Sequence, residues 1–382
     1  MPLHFPDSEY ERRLKAATQA LETAGFDALL MFAPESHYWL CGYDTFGFAM
    51  FQCLVLTADG RLHLLTRAPD RRQAQLTSTL SDDRIHVWPE HQGADPARDL
   101  AALLADLGVA GGRLGYESQT AGLTDFNGRR LRAALGEMAD ASDLIRALRR
   151  VKSPAEIAMH RRAAALSDDA FDAALTTTRA GAFEGDILAA MQGAVFRGGG
   201  DYAGNEFIVG SGPQALLCRY FSGRRHLDAT DQLTLEWSGA YARYHAAMMR
   251  TLIIGAPAPA QRRMHAIAEQ ALAACEAAIR PGAPMGDVYA AHAAVFDANG
   301  LGHARLQACG YGMGAVFTPI WVDFPMFYQG NPLEMQQGQV FFLHMIAMDD
   351  AAGLAMCLGH SVLVTDSGCE RLSRHAPDLV AL

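Results

Sequence analysis

The sequence predicts two domains, an α/β domain over residues 1–150 and an α+β domain over residues 151–382. Half of the 382 residues are apolar, which is enough to bury two separate cores and disfavours one undivided domain. Ser153-Pro-Ala-Glu156 marks the boundary, because it supplies an N-cap, a proline at the first helical position and an acid at the third. Beyond it, long amphipathic helices replace the short apolar runs of the first domain.

The first domain begins with a predicted helix and continues into strands. Ser8-Glu-Tyr-Glu11 has the pattern of a capping box, which places the start of the helix there. Residues 28–32 form a short apolar run typical of a buried strand. Residues 52–57 and 61–66 flank the turn signal Asp59-Gly60 and predict a β-hairpin. This combination predicts an α/β domain built on a mixed sheet.

In the second domain, four segments repeat apolar residues at helical spacing, and the segments between them are rich in strand-forming residues. The predicted helices cover 154–179, 183–196, 258–280 and 284–298. The predicted strands lie within 206–210, 232–254 and 339–365. An α+β layer domain follows from this order.

Composition and charge exclude several classes of protein. The net charge of −10 and the pI near 5.8 give no basic stripe for a nucleic acid partner. The chain has no apolar run of about 18 residues and no secretory signal pattern, so a soluble cytoplasmic protein without membrane contact is expected. The seven cysteines are scattered and never spaced as Cys-x-x-Cys, which argues against a zinc-thiolate site or a disulfide framework.

The segment Leu235-Glu-Trp-Ser-Gly-Ala-Tyr-Ala-Arg-Tyr-His-Ala-Ala-Met-Met-Arg-Thr251 resembles a hairpin shared by aminopeptidase P and prolidase. Further matches run through the second domain and into the first. They are Lys152-Ser-Pro-Ala-Glu156, Gly310-Tyr-Gly-Met-Gly314, Ser361-Val-Leu-Val-Thr365 and Gly42-Tyr43-Asp44. The resemblance to the creatinase, prolidase and aminopeptidase P family implies a creatinase-type N-terminal domain followed by a catalytic domain of the pita-bread fold.

The metallopeptidase branch of that family binds two divalent metals through two aspartates, a histidine and two glutamates, the oxygen-rich ligand set that hard cations require. Aligned on the hairpin, those positions fall on Glu236, Ala247, Tyr311, His344 and His360. An alanine has no ligand atom, and one carboxylate of four is kept. The pattern resembles the metal-free branch with creatinase and ectoine hydrolase, which implies a hydrolase of amidine-type C–N bonds without a metal or other cofactor.

The hairpin itself suggests how the chemistry is divided. Residues two apart in a strand share a face, so His245 and Met249 are expected to point into the same pocket as Ala247. Strand pairing is expected to place Glu236 across from Ala247. Glu236 is then the nucleophile or general base, and His245 donates or relays the proton.

His344 and His360 lie in apolar runs, where buried histidines with hydrogen-bond partners are common. Both also fall on ligand positions of the family, and we count them among the catalytic candidates. With Glu236 they have the composition of a 2-His-1-carboxylate metal site, so a rebuilt mononuclear centre stays open as an alternative.

Several residues are candidates for substrate binding. Arg219 is the preferred partner for a substrate carboxylate, whereas for Arg250 structural pairing is at least as plausible. The family's first-domain loop, here around Gly42 to Phe51, reaches a neighbouring subunit's site, so the resemblance implies a homodimer with shared sites. The other candidates for contact with the substrate are Tyr244, Asp201, Tyr311, Trp321 and Phe46.

The leading hypothesis is a hydrolase that cuts an amidine, guanidino or amide C–N bond in a small, polar, carboxylate-bearing metabolite. Two alternatives stay open. One is a metal-dependent Xaa-Pro peptidase-like enzyme or lyase that uses Glu236, His344 and His360. The other is a catalytically inactive family member that binds a metabolite or a partner protein.

Overall fold

The computed structural model describes residues 3–218 and 224–382. The chain divides into two units, Met1–Arg149 and Arg150–Leu382, and each has its own sheet and its own buried core clusters. Among the described residues, no helix combines the length and apolarity needed to cross a bilayer.

The first unit has the predicted α/β architecture around a six-stranded mixed sheet. Its helices are α1 Asp7–Thr23, α2 Pro34–Cys41, α3 Ala68–Thr77, α4 Pro96–Asp106, α5 Asp125–Leu135 and α6 Ser142–Arg150, whose last residue enters the second unit. Its strands are β1 Ala28–Met31, β2 Cys53–Thr57, β3 Leu62–Thr66, β4 Ile85–Val87, β5 Leu114–Tyr116 and β6 Ala139–Asp140. They are arranged in the order β4-β3-β2-β1-β5-β6. Strand β1 is antiparallel to β2 and parallel to β5, so the sheet is mixed as predicted.

The start of α1 differs from the prediction. The helix begins at Asp7, with Pro6 at the N-cap and no side-chain capping bond, so the capping box at Ser8 is absent. Proline presets a backbone φ close to that of the first helical turn, and Asp7 and Glu9 favour the positive end of the helix dipole. These two effects start the helix without a serine cap.

The second unit packs four helices against a large antiparallel sheet. The helices are α7 Pro154–Thr177, α8 Glu184–Arg197, α9 Pro259–Ala278 and α10 Met285–Ala298. The strands are β7 Ile208–Ser211, β8 Asp231–Tyr241, β9 Tyr244–Ile254, β10 Ala308–Gly312, β11 Asp323–Tyr328, β12 Val340–Asp349, β13 Leu354–Val364, β14 Cys369–Arg371 and β15 Val380–Ala381. The main order is β11-β10-β12-β13-β9-β8-β7. Helix α7 packs on β8 and β9, and α9 packs on β12 and β13.

The predicted start of α7 is confirmed. The Ser153 hydroxyl oxygen accepts the Glu156 amide N–H at 3.3 Å, and a Glu156 carboxylate oxygen accepts the Ser153 N–H at 2.9 Å. This reciprocal bonding satisfies two amide groups that have no partner within the helix and contributes about 1 kcal/mol to its stability. It fixes the start of the helix that supports β8 and β9.

A buried histidine on α10 leads to a stability prediction. His292 is 1% exposed, packs against the Tyr289 and Phe296 rings, and has no hydrogen-bond partner at either ring nitrogen. Burying a polar group without a partner costs free energy, so His292→Leu is expected to raise the free energy of unfolding by about 1–2 kcal/mol. Urea denaturation at pH 7.5 measures the change.

The matched control is His265→Leu on α9. His265 is also buried, but its Nε2 lies 2.9 Å from the Pro377 carbonyl oxygen. Removing that donor is expected to destabilise the protein by about 1–2 kcal/mol, because the carbonyl loses its partner. Equal losses in the two variants would contradict the assignment of His292 as an unsatisfied group.

Candidate functional site

Four paired strands bring Glu236 and His344 onto one face of the large sheet. His344 on β12 is opposite Gly359 on β13, Gly359 is opposite Met249 on β9, and Met249 is opposite Glu236 on β8. Directly opposed residues project to the same side of a sheet, so these four form one row. Strands lie about 4.8 Å apart, which separates the Glu236 and His344 Cα atoms by about 14 Å. We call this surface, turned away from α7 and α9, the site face.

The register of the hairpin differs from the prediction. Ala247 is opposite Ser238, whereas Glu236 is opposite Met249, so the expected pairing of Glu236 with Ala247 is wrong. The cause is the tight turn at Ala242 and Arg243, whose φ values of 49° and 65° are those of a two-residue hairpin loop. Glu236 and Ala247 still share the site face, because the register shift is an even number of residues.

Glu236 is more exposed to solvent than its neighbours on strand β8. Every residue from Asp231 to Ala240 is buried except Glu236, which is partly exposed. Cys357 lies close to it, and burial raises the pKa of this thiol well above its usual range, with the charges of Cys218 and Glu236 adding to the shift. Cys357 therefore stays a neutral thiol and does not compete with Glu236 as an anionic nucleophile.

His344, at the other end of the row, packs among aromatic rings. The rings of Tyr311, Phe342 and His344 lie 5.4 to 5.6 Å apart, centre to centre, in all three pairings. The Trp321 indole N–H donates a hydrogen bond of 2.8 Å to the Tyr311 hydroxyl oxygen. The site face thus has a carboxylate at one end, and an imidazole beside a phenol at the other.

His245 is held by backbone groups at both ring nitrogens. The Gly204 N–H donates to Nε2 at 2.9 Å, and Nδ1 lies 2.7 Å from the Arg243 carbonyl oxygen, so Nδ1 carries the hydrogen. Burial lowers the pKa of His245 to about 4, which keeps the ring neutral. A ring with both nitrogens engaged cannot relay a proton to the substrate, so the expected catalytic role of His245 is corrected to a structural one.

His360 lies on the opposite face of the sheet. It pairs with Met248, one residue from the row that contains Glu236, and its Nε2 donates to a Glu276 carboxylate oxygen of α9 at 2.7 Å. Burial lowers the pKa of His360, and the hydrogen bond to Glu276 opposes this only in part. A one-residue shift along a strand reverses the face, so Gly359 holds the position on the site face that we had assigned to His360.

The contacts of Glu276 give a second stability prediction. Burial by itself raises the pKa of Glu276, but hydrogen bonds from His360 and Arg371 lower it to about 2, below the ordinary value of 4.5. This stabilisation is present above pH 4.5 and is lost as the pH falls towards 2. Glu276→Gln is therefore expected to lower the free energy of unfolding at pH 7 by roughly 2–3 kcal/mol, measured by urea denaturation.

Glu269→Gln on the exposed side of the same helix is the control and should change stability by less than about 0.5 kcal/mol. A Glu276→Gln variant as stable as the wild type would show that the His360 contact is energetically neutral.

Two expected substrate contacts also face away from the site. The Tyr244 hydroxyl donates to a Glu156 carboxylate oxygen of α7 at 2.8 Å. Arg250 is 2% exposed, and its Nη1 donates to the carbonyl oxygens of Met249 and Gly359 at 2.8 and 2.6 Å. Strand alternation places both side chains on the helix side, so the prediction that they bind substrate is wrong.

The three remaining candidates that the structure describes, Asp201, Phe46 and Trp321, have different surroundings. Asp201 accepts the Arg243 N–H at 3.0 Å and lines a cavity of about 340 Å³ beside α8, together with Asn205 and Thr318. Phe46 belongs to the first unit, where its side chain is 84% exposed. Arg219 lies outside the described residues. Trp321 is buried and contacts Tyr311, so it reaches the site through that hydroxyl.

The residues present do not fit a two-metal centre. Ala247 and Gly359 offer no side-chain ligand, and a Cβ added at Gly359 would overlap the Leu343 carbonyl oxygen. The Tyr311 hydroxyl oxygen already accepts the Trp321 indole N–H. Within residues 3–218 and 224–382, no three His, Cys, Asp or Glu side chains are grouped to hold a metal ion.

Sequence reasoning missed the role of Gly359, which lies in the middle of the row and, lacking a Cβ, allows the Leu343 backbone to approach closely. A signal for it exists in the alternation of β13, because Cys357, Gly359 and Ser361 share one parity and His360 has the other. Assigning that parity requires the register against β9, which only the folded sheet supplies.

Known proteins with this architecture support a family assignment. Residues 13–151 match the creatinase/prolidase N-terminal domain, and residues 158–366 match metallopeptidase family M24. An ectoine hydrolase of Halomonas elongata is 28% identical over 396 residues, which covers 97% of this chain and 96% of the relative. An uncharacterized hydrolase/peptidase of Sinorhizobium fredii is 27% identical, with 99% and 98% covered.

Among solved structures, dipeptidase PepE from Mycobacterium ulcerans superposes with a TM-score of 0.85 at 26% identity, and 99% of each chain is covered. An Xaa-Pro dipeptidase from Bacillus anthracis superposes with a TM-score of 0.84 at 19% identity, over 98% of this chain and 100% of the other. The protein is a member of metallopeptidase family M24 that carries a creatinase/prolidase N-terminal domain, within the creatinase, aminopeptidase P and prolidase superfamily.

Proposed function

We propose that this protein is a metal-independent hydrolase that cuts an amidine, guanidino or amide C–N bond in a small metabolite bearing a carboxylate. The observation that carries the proposal is the row His344, Gly359, Met249 and Glu236 on the site face. One carboxylate and one imidazole stand at the two ends of this row, with Met249 and Gly359 between them. The full-length similarity to an ectoine hydrolase, at 28% identity, supports the same chemistry.

The distances suit a small substrate. The Glu236 and His344 Cα atoms are about 14 Å apart and both side chains project from the site face, a separation on the scale of a small metabolite. Glu236 is the general base that takes a proton from water, or the nucleophile that attacks the carbon directly. Water adds its oxygen to the carbon, the C–N bond breaks and the departing nitrogen takes up a proton.

His344 is the second acid–base group in this proposal. It shares the site face with Glu236, whereas His245 and His360 are engaged with the backbone and with Glu276. A mononuclear metal site built from Glu236, His344 and His360 is not supported, because His360 lies on the other face of the sheet.

Two further parts of the proposal rest on the family resemblance. Arg219 is proposed to bind the substrate carboxylate through its guanidinium group. The active form is proposed to be a homodimer with sites shared between subunits, and Phe46 is an exposed aromatic residue of the loop that the family uses for this contact.

The test combines metal analysis with a substrate screen. Purified protein is dialysed against a chelator, its metal content is measured, and it is offered ectoine, creatine and an Xaa-Pro dipeptide. We expect substoichiometric metal and turnover of a C–N substrate other than the dipeptide, at a rate that the chelator does not change. Dipeptide cleavage that the chelator abolishes would reject the proposal. Binding of a metabolite without turnover would assign the protein as an inactive family member.

A further inference from the structure

A continuous chain of contacts runs from the tip of the β8–β9 hairpin to the site face. The Arg243 carbonyl oxygen accepts from His245 Nδ1, and His245 Nε2 accepts the Gly204 N–H. The next residue, Asn205, accepts the Trp321 backbone N–H on its side-chain oxygen at 3.1 Å. The Trp321 indole N–H donates to the Tyr311 hydroxyl oxygen at 2.8 Å.

The hydrogen bond between Trp321 and Tyr311 determines in which direction the Tyr311 hydroxyl can donate. An indole N–H is a donor only, so Tyr311 acts as the acceptor in its bond with Trp321. The hydroxyl hydrogen of Tyr311 is thereby directed away from Trp321. The Tyr311 ring contacts His344 at 5.5 Å on the site face, so the hydroxyl belongs to the end of the site opposite Glu236.

His245 and Trp321 are both too buried to contact a substrate. Their relative exposures are 0% and 1%. Each nevertheless holds the next element of the chain, because His245 fixes the loop at Gly204 and Trp321 fixes the phenol of Tyr311. Any effect of His245 and Trp321 on the chemistry therefore comes from orienting another group, the Tyr311 hydroxyl.

We propose that Tyr311 is a hydrogen-bond donor to the reacting group of the substrate, and that Trp321 and His245 are positioning residues that orient its hydroxyl. This inference rests on the proposed function, since it assigns the donor for that reaction. Tyr311 stands at a metal-ligand position of the family alignment, and a fixed phenol stabilises developing negative charge without a metal ion.

The reaction then proceeds in two steps. Glu236 takes a proton from water as the water oxygen bonds to the substrate carbon, and the electron pair of the C=N or C=O bond moves onto its heteroatom. Tyr311 donates a hydrogen bond to that atom and keeps its own proton. As the C–N bond breaks, a carbon–oxygen double bond forms, and the departing nitrogen takes the proton that Glu236 received. For a C=N substrate, His344 takes the proton of the added hydroxyl group and returns it to the nitrogen that stays bound to carbon.

The chain can be tested by NMR without a substrate. The protein has four tryptophans, so an indole ¹⁵N-labelled sample gives four N–H signals, and Trp321→Phe assigns one of them. Tyr311→Phe removes only the acceptor oxygen and is expected to move the Trp321 signal upfield. His245→Asn, which loses the acceptor for Gly204, should also move it. His245→Gln places an amide oxygen near the former Nε2 and should restore the wild-type position.

Kinetics test the role of the donor. With the C–N substrate that the screen identifies, Tyr311→Phe is expected to lower kcat by about 10²-fold with KM changed less than about twofold. Trp321→Phe should lower kcat less, and the double variant should match Tyr311→Phe, because both act on one hydroxyl.

The outcomes separate this inference from the proposed function. An unchanged Trp321 signal in Tyr311→Phe, or in His245→Asn, overturns the positioning chain whether or not a substrate is known. A Tyr311→Phe enzyme with wild-type kcat overturns the donor role and leaves the hydrolase proposal standing. If no C–N compound is turned over by the wild type, the proposed function and the donor role fail together. The NMR result still shows whether the chain of contacts from His245 to Tyr311 exists.

Discussion

Glu236→Gln is expected to lower kcat for the C–N substrate by at least about 10³-fold. Glutamine keeps the size and hydrogen-bonding length of glutamate but can neither accept a proton from water nor attack a carbon as an anion. Steady-state kinetics of the chelator-treated enzyme measure the effect. Because Glu236 is partly exposed and glutamine is nearly isosteric, the free energy of unfolding should change by less than about 1 kcal/mol.

The control for this variant is Glu334→Gln, the same substitution at an exposed position of the second unit. It should leave kcat and KM at wild-type values. Substrate binding by Glu236→Gln, measured by calorimetry, should persist within about tenfold, because the change removes a reacting group rather than the pocket. Turnover by Glu236→Gln at the wild-type rate would reject the mechanism.

Acid is expected to destabilise the second unit steeply between pH 6.5 and pH 4. Burial lowers the pKa of His160 to about 3 and those of His245 and His292 to about 4, below the ordinary 6.5. As the pH falls below 6.5, the unfolded chain binds protons that the folded state does not, so stability is lost in that direction. Each histidine contributes about 1.4 kcal/mol per pH unit, and together they give roughly 4 kcal/mol per pH unit.

Urea denaturation followed by circular dichroism at pH 7.5, 6.5, 5.5 and 4.5 measures this dependence. His292→Leu serves as an internal check, because it removes one of the three groups. Its slope below pH 6.5 should be smaller than that of the wild type by about 1.4 kcal/mol per pH unit. A stability profile that is flat from pH 7.5 to 4.5 would contradict the buried, neutral state of these histidines.

Local sequence patterns predicted much of the architecture. The cap at Ser153 and the helical spacing after it predicted α7, which ends at Thr177. The turn signal at Asp59-Gly60 predicted the β2–β3 hairpin. The start of α1 was the exception, because the proline and acidic residues at Pro6 and Asp7 began the helix one residue before the predicted cap.

The candidate site was harder to predict, because it depends on strand register. Glu236 lies five residues before the end of β8 at Tyr241, and His344 lies five residues before the end of β12 at Asp349. Which residues they face depends on the exact turn, such as the two-residue turn at Ala242 and Arg243. For His360, an error of one residue moved the side chain from the site face to α9.

By itself, the sequence determined the two-domain architecture through local patterns. Its resemblance to the family hairpin further implied the loss of the ligand at Ala247 and the retention of a carboxylate at Glu236. The tertiary structure decided which histidine shares a face of the sheet with Glu236, namely His344 and not His360. The hydrogen bonds of the other two histidines come from long-range partners, Gly204 for His245 and Glu276 for His360, which lie 41 and 84 residues away along the chain. Only the folded sheet brings those partners within hydrogen-bonding distance.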